Sequence, residues 1–122
     1  MTYQNYLEGG KLILTVPTTG GVQGKEANPN LPEQPEEIAK AAHECEQLGA
    51  AIVHLHGRDE HGERDADRLQ VINDAVRDRC DDIIVQHTTG GTGLPLEERA
   101  KGIRTAPRPR IALLCQGPLT RY

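Results

Sequence analysis

Four short apolar runs along this chain of 122 residues predict the strands of a buried sheet. The segments between them carry apolar residues every three or four positions, which is the spacing of an amphipathic helix. Strand and helix therefore alternate, as in α/β folds built from successive βα units around a parallel sheet. The strands are expected to begin near Leu12, Ala51, Ile83 and Ile111.

Three segments predict helices, at residues 35–48, 66–79 and 95–101. In the first, Pro35 suits the first helical position, acidic residues follow at the positive amino end, and Gly49 comes after the last apolar position. Asp65 is a suitable cap for the second helix, and Gly102 ends the third.

The apolar run at residues 50–53 leads directly into His54-Leu55-His56. Side chains alternate along a strand, so both imidazoles point the same way, about 7 Å apart along the backbone. Two imidazole nitrogens at that spacing can converge on one zinc ion, which takes at least a third protein ligand from elsewhere in the fold. A pair of hydrogen-bonded histidines at a strand end is the alternative, and this short motif alone does not decide between them.

Two segments rich in threonine and glycine follow the first and third predicted strands, at residues 18–21 and 88–93. The carboxyl ends of parallel strands build the active sites of α/β folds, so these segments and the histidines are expected to share one surface. Consecutive N–H groups in a glycine-rich loop can bind a carboxylate or a phosphate. A tight turn without a ligand is the other interpretation of each segment.

The order and spacing of these motifs resemble the amino-terminal half of the β-keto acid cleavage enzymes, a family that includes 3-keto-5-aminohexanoate cleavage enzyme. The resemblance covers residues 11–119 and rests on segments 19–21, 28–39, 49–59 and 88–91.

The family resemblance implies an α/β fold of the TIM (β/α)8-barrel family, with about the first four βα units in this chain. Since such barrels typically have about 250 residues, residues 11–122 would form the amino-terminal half, after a disordered leader at residues 1–10. It also implies a zinc-dependent enzyme that exchanges acyl groups between a β-keto acid and acetyl-CoA, giving acetoacetate and a new CoA thioester.

Particular residues receive roles from this resemblance. His54 and His56 would bind Zn²⁺, which acts as a Lewis acid on the β-keto carbonyl. The loop that begins at Thr88 would hold the substrate carboxylate. The implied substrate-binding residues are Thr19, Gly20, Val22, Thr88, Thr89, Gly90 and Gly91.

The sequence departs from the family pattern at Arg110 and Cys115, where members usually carry an acid and an asparagine, and at two further points that bear on the substrate and on catalysis. Family members that cleave the aminohexanoate carry a glutamate for the substrate ammonium where this chain has Val22, so an uncharged β-keto acid is expected, with Glu26 as a possible substitute partner. The family's third zinc ligand and its catalytic aspartate belong to an Arg-x-Gly-x-Glu-Asp segment, which these 122 residues do not contain. No catalytic residue is therefore assigned, and whether this chain is itself an enzyme stays open.

Two further functions remain possible from the sequence: a non-catalytic half-barrel that serves as an interaction module, and another TIM-barrel enzyme that binds a phosphate at residues 88–93. The net charge of −4, with interspersed signs, argues against a nucleic-acid partner. The absence of a long apolar run or signal sequence predicts no membrane partner and a cytoplasmic location.

Other polar residues receive structural expectations. Three widely spaced cysteines predict reduced thiols without a catalytic role. Arg58 is expected to form a structural ion pair, His87 to face the helices, and His43 and His61 to be exposed. Open sheet edges predict a homo-oligomer.

Overall fold

The computed structural model describes residues 9–10, 12–91 and 94–113. Four parallel strands form one sheet in which strands that follow one another along the chain are neighbours. They are β1 (Thr15–Pro17), β2 (Ile52–Leu55), β3 (Ile84–Thr88) and β4 (Ile111–Leu113). The predicted parallel sheet with α/β character is therefore confirmed.

A helix lies in each connection between strands. These are α1 (Pro35–Gln47), α2 (Leu69–Arg79) and α3 (Leu96–Ala100), with 3-10 turns at Ala66–Arg68 and Lys101–Ile103. Helix α1 begins at Pro35 as predicted and ends before Gly49, whose positive φ of 95° is a conformation that glycine adopts without strain. None of the helices in the described ranges is long and apolar enough to cross a bilayer.

The hydrophobic core lies between α1, α2 and one face of the sheet. Val53 and Leu55 of β2 are fully buried in it. Because side chains alternate along a strand, His54 projects from the opposite face of the sheet. The buried core residues are Ile38, Ala39, Ala42, Val53, Leu55, Leu69, Ile72, Val76 and Val85.

The strands are shorter than their apolar runs suggest. Hydrogen bonding to β2 begins just before β1, where the carbonyl oxygen of Leu14 accepts hydrogen bonds from the N–H groups of Ala51 and Ile52. Leu12 and Ile13, earlier in the same apolar run, are exposed. Strand β2 ends at Leu55, so His56 lies just beyond it. The expected leader falls largely on residues 1–8, and the end of the fourth predicted strand on residues 114–117, which lie outside the described residues.

Candidate functional site

The imidazole rings of His54 and His56 converge at the carboxyl end of β2. Their Nε2 atoms are 3.2 Å apart, and the rings meet edge to face with centroids 5.0 Å apart. Two nitrogen ligands of a tetrahedral zinc ion, at 2.0–2.1 Å from the metal, lie about 3.3 Å from each other. The pair therefore fits a shared Zn²⁺, and the same distance also suits an N–H···N hydrogen bond between the rings.

Gln86 on the neighbouring strand sets the orientation of His54. The two residues are opposite each other in the register of β2 and β3, and His54 Nδ1 lies 2.8 Å from Gln86 Oε1. With the amide oxygen as acceptor, Nδ1 carries the proton and the Nε2 lone pair is directed towards His56. This is the tautomer that a metal-binding histidine requires. Gln86 is not among the site residues predicted from the sequence, although it lies two positions before Thr88 and thus on the same face.

Gln86→Leu is expected to lower the Zn²⁺ affinity of the histidine pair about tenfold, because His54 loses the acceptor that fixes its tautomer. Calorimetric zinc titration of the wild-type and variant chains measures this effect. Gln86→Glu is the matched control, since it keeps an acceptor oxygen and should retain the affinity. Equal affinities for Gln86→Leu and the wild type would contradict the role of Gln86.

His56 lies in a mostly buried environment close to positive charge. Burial, followed by the charges of His54, Arg58 and Arg64, lowers its pKa to about 4. The ring is therefore neutral at pH 7 and offers a lone pair. The loop after β1 packs directly on it, because a Cβ at Gly21 would lie only 3.1 Å from His56 Nδ1.

Arg58 connects the loop after β1 to the loop after β2. Its side chain is only 3% exposed, and its guanidinium donates to the carbonyl oxygens of Gly20, Gln23 and Gly62, with shortest distances of 2.7, 2.7 and 2.6 Å. Arg58 thus has the expected structural role, but among the described residues backbone carbonyls and not a carboxylate are its partners. Arg58 holds the Gly20–Gly21 backbone beside His56.

Hydroxyl groups of the predicted substrate-binding threonines have different partners. Thr19 is buried, and its hydroxyl donates to the carbonyl oxygen of Pro32. The Thr89 hydroxyl donates to the carbonyl oxygen of Leu113 in β4. Thr88 Oγ1 accepts the N–H of Gly90 at 2.9 Å, and its own proton has no acceptor within the part of the chain that the structure describes. Of the three hydroxyl groups, that of Thr88 is the best placed to bind a ligand.

One cavity of about 150 Å³ is lined by His56, Thr88 and Gly90 together with several charged residues. Lys101 in its wall forms ion pairs with Glu98 at 2.8 Å and Asp67 at 3.1 Å. The lining as a whole has three basic and three acidic residues, so it does not favour a phosphate dianion over a carboxylate. The volume is below the roughly 300 Å³ at which typical small-molecule pockets begin, so the described residues would not enclose a drug-sized ligand.

Val22 lies in a separate cavity of about 280 Å³, and its side chain is 66% exposed. Glu26 lines the same cavity, where its carboxylate accepts the N–H of Gly24 at 2.7 Å. The structure therefore brings His56, Thr88 and Gly90 to one cavity, and Val22 together with Arg58 to another.

The other three histidines and Cys80 have their own surroundings, outside the pair. His87 is buried with Nδ1 2.6 Å from the carbonyl oxygen of Gly102, and it faces the helices as expected. His61 is exposed as expected, whereas His43 is only half-exposed and contacts Glu46 on the same helix. Burial raises the pKa of the Cys80 thiol to about 11, which makes Cys80 a poor nucleophile at neutral pH.

Comparison with known proteins identifies the family of this chain. Residues 11–120 match the model of the beta-keto acid cleavage enzyme family. The chain is 37% identical over 100 residues to 3-keto-5-aminohexanoate cleavage enzyme from Acetoanaerobium sticklandii, covering 80% of this chain and 37% of that enzyme. The enzyme of the same name from Fusobacterium nucleatum is 41% identical over 83 residues, with 66% and 30% covered.

A further relative has a different named substrate. It is 3,5-dioxohexanoate:acetyl-CoA acetone transferase from Paraburkholderia graminis, 32% identical over 112 residues, with 89% of this chain and 36% of the relative covered. The chain thus spans about a third of the length of these curated relatives. The match along nearly the whole of the sequence shows that this chain belongs to the beta-keto acid cleavage enzyme family.

Proposed function

We propose that this chain contributes the zinc-binding histidines and a carboxylate-binding loop to an enzyme that exchanges acyl groups between a β-keto acid and acetyl-CoA. The products would be acetoacetate and a new CoA thioester. The convergence of His54 and His56, with Nε2 atoms 3.2 Å apart, carries the proposal. The acetyl-CoA named for the Paraburkholderia graminis relative supports the co-substrate.

The histidines and Thr88 have different roles in the proposed reaction. His54 and His56 hold Zn²⁺, which supplies a Lewis acid for the β-keto carbonyl. The Thr88 hydroxyl donates to the substrate carboxylate. A glutamate ligand and an aspartate, as the family resemblance implies, would complete the site from a segment beyond these 122 residues. The four strands would be the first four of a TIM barrel, with His54 and Gln86 facing its interior.

Binding of acetoacetate to the isotope-labelled chain, followed by NMR, tests the proposed function. We expect zinc-dependent shifts of the amide signals of Thr88 and Gly90, and no such shifts in His54→Ala. Inorganic phosphate is the competing probe. Shifts that phosphate produces without zinc, and that acetoacetate does not, would support the phosphate-binding alternative. No response to either ligand would favour a non-catalytic half-barrel.

Turnover by the 122 residues alone is not expected, because the implied aspartate and third zinc ligand are absent from the sequence. An assay for acetoacetate formation from acetyl-CoA and a β-keto acid checks this. Zinc-dependent turnover that disappears in His54→Ala would show that these 122 residues already include the catalytic group.

Val22 is proposed to favour uncharged β-keto acids. Val22→Glu should raise the affinity for 3-keto-5-aminohexanoate relative to acetoacetate by about fivefold at most, because an exposed carboxylate–ammonium pair is gained. A larger gain is not expected, since the 66% exposure of Val22 leaves that charge pair screened by water. Val22→Gln is the matched uncharged control in an NMR titration. An unchanged affinity ratio in Val22→Glu would count against this specificity role.

The exposed edges of the sheet are proposed to make the chain a homo-oligomer. Strands β1 and β4 are the outer strands of the described sheet, and Leu12 and Ile13 beside β1 are 75% and 73% exposed. Such edges promote pairing between copies. Size-exclusion chromatography with light scattering should show a dimer or larger assembly, and Leu12→Lys/Ile13→Lys should shift it towards monomer. A monomeric wild type at high concentration would refute the prediction.

A further inference from the structure

A second group of potential metal ligands lies at the other end of the sheet from the histidine pair. His43 and Glu46 are one turn apart on α1, and Cys80 directly follows α2. One donor atom from each, an imidazole nitrogen, a carboxylate oxygen and a thiol sulfur, lies within 4.8 Å of the other two. Because these helices return towards the amino ends of the strands, the cluster is separate from His54 and His56.

Within this cluster, the side chains of His43 and Glu46 lie next to each other. His43 Nδ1 is buried and has no hydrogen-bond partner among the described residues, and it lies 3.6 Å from Glu46 Oε2. A buried ring nitrogen without a partner is unfavourable, and such a group in a native protein calls for a ligand or water. His43 therefore has an unpaired ring nitrogen beside Glu46, and one of its ring nitrogens lies within 4.8 Å of both other donors.

Glu46 is held in place by the turn that leads from α2 into β3. Its Oε1 accepts the N–H groups of Asp82 and Ile83, each at 2.7 Å. Its Oε2 accepts the N–H of Asp81 at 3.2 Å and faces His43. The carboxylate is thus fixed, and Oε2 retains a lone pair for a further partner.

We propose that His43, Glu46 and Cys80 form a second metal site, for a divalent cation of the class that accepts sulfur and nitrogen ligands, such as Zn²⁺. Tetrahedral zinc with these ligands needs donor separations of about 3.3–3.6 Å. Since the three atoms lie within 4.8 Å of one another, they must approach by roughly 1.5 Å at most. A water molecule would provide the fourth ligand. A cation here joins α1 to the turn after α2, and it therefore stabilises the fold.

Cobalt titration tests the site, because Co²⁺ bound to a thiolate absorbs in the near ultraviolet and Co²⁺ bound only to histidines lacks that band. The titration uses the His54→Ala/His56→Ala protein, in which the first site is removed. We expect the thiolate band to form, to disappear on addition of Zn²⁺, and to be lost in a further Cys80→Ser variant. Mg²⁺, which prefers oxygen ligands, should neither produce nor displace it.

Control variants separate this site from any other thiol. Cys45→Ser, on the same helix as His43, should keep the band. His43→Gln should weaken Co²⁺ binding more than about tenfold and serves as the second test should Cys80→Ser fail to fold, because the half-exposed His43 tolerates replacement. A band that survives Cys80→Ser, a band that His43→Gln leaves unchanged, or no band in folded protein would each overturn the proposal.

Discussion

Replacing His54 or His56 with alanine should lower the Zn²⁺ affinity at the carboxyl end of β2 at least tenfold, which is about 1.4 kcal/mol or more. The two Nε2 atoms are 3.2 Å apart and are held by contacts from Gln86 and the Gly21 backbone. A single remaining imidazole cannot chelate. Equilibrium dialysis followed by elemental analysis measures the bound zinc.

Two controls make this zinc measurement specific to His54 and His56. All variants carry Cys80→Ser, so that the proposed second cluster does not contribute bound metal. His61→Ala is the matched control, because His61 is exposed and lies outside the pair. If zinc content stayed at the control level in both His54→Ala and His56→Ala, the histidines would be a hydrogen-bonded pair and not metal ligands.

Arg58→Leu is expected to lower the free energy of unfolding by about 3 kcal/mol. The change removes a buried guanidinium and leaves the carbonyl oxygens of Gly20, Gln23 and Gly62 without their donor. Hydrogen bonds to a charged group contribute roughly 1.5–3 kcal/mol each, and solvation of the freed carbonyls offsets part of the total loss. Urea denaturation at several wavelengths gives the unfolding free energy.

Arg104→Leu provides the comparison for Arg58. Arg104 forms an exposed ion pair with Glu97 at 3.1 Å, so its loss should change stability by less than about 0.5 kcal/mol. Arg58→Lys should fall between the two, since one ammonium cannot reach all three carbonyl oxygens. Equal stability of Arg58→Leu and Arg104→Leu would show that the Arg58 hydrogen bonds add nothing to the fold.

Local periodicity determined the helices and the side on which the histidines lie. Pro35 and Gly49 mark the ends of α1 through their own backbone preferences, which need no distant partner. The alternation of Val53, His54 and Leu55 places the apolar pair in the core and the imidazole on the other face. These features depend on neighbours within a few residues, so they could be predicted from the sequence alone.

Contacts between distant segments could be found only in the tertiary structure. The partner of His54 depends on the register of β2 against β3, which places Gln86 opposite it. The carbonyl partners of Arg58 lie as far as 38 residues away, in a loop whose path no local pattern specifies. The cluster at Cys80 likewise forms because α1 and α2 pack side by side. Periodicity states which face a side chain occupies, whereas register and helix packing decide what it meets there.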